Sequence, residues 1–344
     1  MARPGRPCCS GSMKATTTGT APATDIRRAV EDAIWAPSVH NTQPWRFGVR
    51  GARIALCADG DRRLDASDPD GREMLISCGA ALLNLRIALH ARGHDTTVRI
   101  LPDPDRPHLL ADVEATPGAL ADDDALFLHA QIRRRRSHRG GFQAAPVPPG
   151  LLAAFRDDAG RDGARLIQAV DANVQGALAA LTNAAEHSRR RSPAHTAETA
   201  RWAPAPGTRR TDGVQQGAYP RETPRTAPHF ASRDFARGHG WGLAAAPAEA
   251  APGAVLLLVT PADGPAHWLR TGQALQRVLL RAAGHGLAAA YHSQALLVPE
   301  LRAFIRTTFC GNAYPQLLLR LGVPDGEPLQ SVRRPVEEVL FDDR

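Results

Sequence analysis

What this sequence of 344 residues lacks already narrows its class. No apolar run approaches the ~20 residues of a membrane span, and the longest candidates, around 255–259 and 317–319, are strand-sized. No membrane partner is therefore expected. Residues 1–22, rich in Gly, Pro, Ser and Thr, lack the apolar middle of a signal peptide, so they are expected to form a disordered tail on a cytoplasmic protein. The five cysteines form no CxxC pair and leave one over, which argues against a disulfide framework and against a zinc site. His90 and His94 are spaced i, i+4, but Gly93 ends the helix between them, so no metal site is expected, and GHGWG at 238–242 has the wrong spacing for a dinucleotide fingerprint. Aromatic residues are only 5% of the chain, too sparse beside the arginine runs to suggest a base-stacking surface, so no specific nucleic acid is expected.

What is present is an ordinary globular composition, 43% hydrophobic and 22% charged, with a net charge of +7. Such a basic balance favours an anionic partner, whether nucleic acid, anionic lipid or a phosphate-bearing small molecule. The length exceeds a single-domain expectation, and an internal repeat accounts for it. GAALLNLRIALHARGH at 79–94 lies over GQALQRVLLRAAGHGL at 272–287, matching Gly79, Ala81, Leu82, Leu85 and Gly93 to Gly272, Ala274, Leu275, Val278 and Gly286. Both read as long buried helices that end at a glycine and run into a short strand. A weaker echo sets DIRRAVEDAIW at 25–35 over QIRRRRSHRGGF at 131–142, and would pair Ile26 with Ile132. Together they divide the chain into halves at 23–125 and 126–344. The second half is longer because of 187–240, dense in Pro, Gly and Arg, where a partly ordered lid is expected.

Two stretches carry chemistry. In an extended RRRRSHR segment, Arg135, Ser137 and Arg139 point to one side and offer two planar guanidinium forks and a hydroxyl, a grip suited to a phosphate dianion. A solvated helix end or a nucleic-acid patch is the plainer alternative for an arginine run. The second stretch, APSVHNTQPW at 36–45, is too polar for a core strand and too proline-interrupted for a helix. Its Ser38, Asn41 and Gln43 bring the hydroxyl and amide groups that a flat heterocycle with imide edges would need.

APSVHNTQPWRF resembles the PSxxNxQPWxF loop of the FMN-dependent nitroreductase superfamily, and RRSHRGGF resembles its RRSxRxF phosphate motif. ISCGAALLNLRIALHARG, YPQLLLRLGVP and SVRRPVEEVL are similar to the Acg-type branch. The resemblance implies an α+β fold, a sheet flanked by helices, with the repeated halves pairing as a single-chain pseudo-dimer. It implies FMN as cofactor, NAD(P)H as electron donor, and a small-molecule acceptor such as a nitroaromatic or quinone. The implied cofactor-binding residues are Arg135, Ser137, Arg139 and Arg333 at the phosphate, Pro37, Ser38, Asn41 and Gln43 at the ribityl chain and ring, and Ser293 and Gln294 where a backbone N–H would meet flavin N5. No catalytic side chain is implied, because the cofactor performs the redox step. Loop and arginine motif occur once each, in different halves, so one composite site in a monomer is expected. Under the Ile26–Ile132 pairing, Ala29, Glu31 and Ala33 would stand where a second grip should be. The alternative to turnover is a flavin-sequestering protein, suggested by an insertion long enough to close over the cofactor.

Overall fold

A computed structural model describes residues 23–222, 224–236, 239–243, 249–326 and 331–342. The tail expected at 1–22 lies outside the described residues. The first half runs α1 (Ala23–Ala33), β1 (Trp45–Arg50), β2 (Arg53–Ala58), α2 (Arg72–His90), β3 (His94–Ile100) and β4 (Leu109–Pro117), and α3 (Asp123–Gln131) spans the boundary expected at 125/126. The second begins α4 (Pro149–Arg161), β5 (Arg165–Gln168), α5 (Ala172–Arg190), α6 (Pro193–Arg201), β6 (Arg225–Thr226) and β7 (Glu249–Ala250). It ends β8 (Ala254–Thr260), α7 (Pro265–Gly284), β9 (Ala288–Tyr291), α8 (Pro299–Phe309), β10 (Tyr314–Gly322) and β11 (Leu340–Asp342). Helix starts follow local chemistry. Asp122 and Asp171 accept the first free N–H groups of α3 and α5, and α4, α6, α7 and α8 each carry proline in the first turn, where a missing N–H costs nothing.

The mixed α+β fold is a unit used twice. One sheet runs β11–β1–β2–β4–β3 and the other β5–β8–β10–β9. Leaving β11 aside, each is an antiparallel sheet built from two strands, a helix and two strands, with the last two strands in swapped order. α2 and α7 are the corresponding helices, and they cross at the two glycines that the sequence aligns. A Cβ on Gly79 would lie 2.1 Å from Leu269 O, and one on Gly272 would lie 2.0 Å from Ile76 O and 2.8 Å from Gly79 Cα. Only hydrogen fits there, so the backbones of the two halves touch. α2 is apolar and long enough to cross a membrane by composition, yet 83% of its apolar window is buried inside the protein, packed in the first core with α1, β1, β2 and β4.

Two expectations need correction. The Ile26–Ile132 pairing fails because α1 precedes β1 and packs on α2, whereas its counterpart by topology is α4, which precedes β5 and packs on α7. Glu31 is therefore not a lost phosphate position; it lies in an ion pair with Arg27 on the surface of α1. The insertion also starts earlier than its composition suggests. It fills the β5–β8 connection, residues 169–253, and begins with the ordered helices α5 and α6. Finally, β11 returns to pair in parallel with β1, Phe47 against Leu340, so the C-terminal segment closes over the first half.

Candidate functional site

The loop between α1 and β1 is held in a shape that extended chain could not adopt. His40, Asn41 and Gln43 all have left-handed backbone angles, with φ of 47°, 54° and 51°. Hydrogen bonds maintain it: Gln43 N donates to Ser38 Oγ at 3.0 Å, and Val39 N donates to Ser77 Oγ of α2 at 3.2 Å. Three non-glycine residues in that region carry strain that these contacts offset.

The arginine motif meets this loop across the boundary between the halves. Ser137 forms a parallel bridge with Ala289, and His138 N donates to Ala289 O at 2.8 Å, so the segment adds to the edge of β9. Arg135, Ser137 and Arg139 gather around the buried Tyr291 phenol at the end of that strand. The Arg135 guanidinium donates to Trp35 O at 2.9 Å, and its Nε is buried with no partner. Arg139 donates to Ala218 O at 3.0 Å and lies over the Phe235 ring. Burial pushes both guanidinium pKa values down to about 10, which still leaves them charged at neutral pH. Neither has a carboxylate within ion-pair distance among the described residues, an arrangement that costs several kcal/mol (roughly) unless an anion completes it.

Arg333 lies beside them, but its hydrogen bonds are already made. Its five N–H groups point to Ile34 O, Trp35 O, Ala36 O, Val332 O and Asn41 Oδ1, at 2.7 to 3.2 Å. It caps the carbonyls that follow α1, as cations favour, and can offer an anion charge but no free donor. Burial, then Arg135 and Arg136, depress its pKa well below the ordinary value.

The loop and the motif open onto a cavity of about 1150 Å3 including its mouth. Ile76 of α2, Leu275 of α7 and Leu317 of β10 make an apolar floor, while Pro37, Ser38, Ser137, Arg139 and Ser293 bring polar groups to the wall. A smaller recess of about 360 Å3 shares Pro37, Ser38, Ser137 and Arg139 with it and is closed by Asn41 and Arg333. Together they form an apolar-floored chamber ending in a cationic recess. Among the sequence-predicted residues, Arg135, Gln43 and Gln294 do not reach these walls; Arg135 is buried against Trp35 O. Gln43 is fully buried; its amide donates to Thr211 O at 2.8 Å and accepts from Arg334 N at 2.9 Å. Asn41 donates to Gly213 O at 2.9 Å. These two amides fasten the insertion and the C-terminal segment to the loop. Ser293 and Gln294 open a short 3-10 turn, Ser293–Leu297, whose first N–H groups have no partner within the turn.

Sequence reasoning missed several wall residues. Tyr219 and Phe235 come from the insertion, and His40 meets Phe235 edge to face at 5.3 Å between ring centres. Both His40 nitrogens are buried without partners, and burial, then Arg233, Arg189 and Arg139, keep its imidazole neutral. On the opposite wall Arg320 Nε donates to His292 Nε2 at 2.9 Å, which places the His292 proton on Nδ1, 3.0 Å from Ala231 O. His40 belongs to the polar loop that the sequence already singles out; no local pattern marks the others, which only the fold of the insertion and of β9–β10 brings to it.

The fold and site thus define a duplicated α+β protein with one cationic chamber between its halves. The chain belongs to the nitroreductase family. It is 34% identical over 306 residues to a Mycobacterium tuberculosis (strain H37Rv) protein named "Putative NAD(P)H nitroreductase Rv3131", covering 87% of this chain and 85% of that one. It is 31% identical over 329 residues to the acg protein of the same strain, which bears the same family name, covering 92% and 95%. No family model matches the chain. Among solved structures, the Vibrio harveyi NADPH:FMN oxidoreductase complexed with NAD+ has a TM-score of 0.38 at 14% identity, covering 63% of this chain and 77% of that chain. A Desulfitobacterium hafniense nitroreductase with bound FMN has a TM-score of 0.39 at 16% identity, covering 63% and 98%.

Proposed function

We propose that the chain binds one FMN in this chamber and passes electrons from NAD(P)H to a nitroaromatic or quinone-type acceptor. The halves, taken as 23–125 and 126–344, act as the two subunits of a pseudo-dimer within one cytoplasmic chain. The observation that carries the reading is the carboxylate-free Arg139 guanidinium on the wall shared by an apolar-floored cavity and its recess, with Ser137 on the same wall and the buried, carboxylate-free Arg135 within electrostatic range. The free N–H groups of Arg139 would hold the phosphate, with Ser137 as a neutral donor and with Arg333 and the buried Arg135 as fixed charge behind it. Ser38 and the N–H of Ser293 would orient the ribityl chain and ring, while Asn41 and Gln43 hold the loop that presents Ser38, and Gln294 ties the turn that carries Ser293 to the insertion through Ala231 O. Bound FMN would supply the two-electron chemistry; the protein excludes water and orients the reactants. Purified protein should show a flavin spectrum at one FMN per chain that bleaches with anaerobic NADPH and recovers with a quinone. A ratio near two, or no uptake of added FMN, overturns the reading.

Flavin sequestration with little turnover is favoured by one observation: Tyr219–Arg221 and Ser232–Ala236 of the insertion roof the chamber. Steady NAD(P)H oxidation with added quinone by the intact chain would count against it. A gain of activity on shortening 187–240 would support it.

A further inference from the structure

Outside the roofed chamber lies a second, open pocket of about 760 Å3, including solvent space, formed by Glu186, Arg189, Arg190, His195, Thr196, Thr199, Arg233 and Asp234. It shares Arg233 and Asp234 with the main cavity, so these two residues stand between the two spaces. Every lining residue belongs to the β5–β8 connection. The pocket is therefore a feature of the insertion, independent of the loop and motif that mark the chamber.

Its cations are not equally engaged. Arg190 pairs with Glu186 at 3.1 Å and donates to Ser232 O, and Arg233 pairs with Glu73 at 3.3 Å. Arg189 has no carboxylate within ion-pair distance among the described residues. Its guanidinium donates to Ser67 Oγ at 2.7 Å, and Glu73, Glu186 and Glu198 act on it only from beyond ion-pair range. His195 Nδ1, on the same wall, is buried with no partner. The half-buried Arg189 therefore keeps donors available to an anion, with hydroxyls of Thr196 and Thr199 beside it.

Under the oxidoreductase reading a nicotinamide dinucleotide would bring its reacting ring into the chamber, leaving its pyrophosphate and adenosine end to lie outside it. We propose that the outer pocket receives a phosphate of this donor, with Arg189 as the anion contact and His195 lining the pocket beside it. The inference rests on the oxidoreductase reading, and adds which part of the chain selects the donor. The phosphate could be the pyrophosphate common to NADH and NADPH or the 2′-phosphate of NADPH alone.

The test is calorimetric binding of 2′,5′-ADP and of ADP to the flavin-loaded protein, for wild type, R189Q, R189K and H195A, with flavin content per chain measured first. Wild type should bind at least one nucleotide, and R189Q should weaken it about tenfold or more, as expected for a lost charged hydrogen bond. H195A should weaken it less, and R189K should restore most of the affinity by returning the charge. The KM for the dinucleotide should rise in parallel. Weakening confined to 2′,5′-ADP assigns the 2′-phosphate; equal weakening of ADP assigns the pyrophosphate. Wild type that binds neither nucleotide, or R189Q and H195A that bind as wild type does, overturns the proposal. A protein that takes up no FMN in the first measurement instead fails the oxidoreductase reading.

Discussion

Between β1 and β2 the first half needs only Gly51 and Ala52, whereas the equivalent β5–β8 connection of the second half runs from 169 to 253 and roofs the chamber. The opposite holds one step earlier. The first half places residues 34–44 between α1 and β1, the loop that lines the site, while the second joins α4 to β5 through residues 162–164 alone. Three residues are too few to build a second such loop. The same topology therefore produces one chamber, because each half supplies a part for which the other has no room.

The largest expected effect breaks the half that holds the grip. Replacing Arg135 and Arg139 together with alanine should lower FMN affinity by a factor of 100 or more, roughly two lost charged contacts. It should remove bound flavin from the purified protein. A variant that folds by circular dichroism yet keeps its flavin would place the site elsewhere. Next is the joint between the halves: Gly272→Ala puts a methyl group against Ile76 O and Gly79, and should cost about 3 kcal/mol in urea denaturation. An unchanged midpoint would mean that the halves separate at this crossing without penalty.

Asp32 ties the end of α1 to Arg92, His129 and Arg133, the last of which stands two residues before Arg135. Burial alone would raise its pKa, but hydrogen bonds from His129, Arg92 and Arg133 outweigh it and hold the carboxyl at about 2. Since the folded value is below the unfolded one, the stabilisation is complete above pH about 4 and is lost as pH falls through 2. Asp32→Asn should cost about 2 kcal/mol at neutral pH, and the gap to wild type should close between pH 4 and 2 in denaturation curves. A gap that persists at pH 2 would contradict the ionic account. The smallest effect sharpens the contrast between loop and insertion. Gln43→Leu removes the bonds to Thr211 and Arg334 and should cost about 1–2 kcal/mol, seen as faster hydrogen exchange at 209–215 with FMN still bound. Loss of FMN at unchanged exchange would return Gln43 to the flavin itself.

Much of the fold could be read from patterns that need no partner. The glycine-marked helices, their common run into a strand and the polar loop are all local signals, and the structure shows them as α2, α7 and the 36–45 turn. The Ile26–Ile132 echo misled because matching arginines on a helix and on a strand-like segment say nothing about which strand each precedes. The resemblance assigned Arg333 and Gln43 to the cofactor, and in the structure their hydrogen bonds go to backbone carbonyls and amides that no residue pattern announces.

By itself, the sequence determined a duplicated α+β protein of this family with an arginine grip and an amide-rich loop in different halves, because helix periodicity, glycine contacts and motif spacing are written along the chain. Only the tertiary structure decided that α4 is the partner of α1 and that Arg333 is saturated while Arg135 and Arg139 are not. It also decided that the insertion both roofs the chamber and builds a pocket beside it. Those outcomes depend on which backbone groups lie within 3 Å or so of a side chain, and residues up to 299 positions apart meet there.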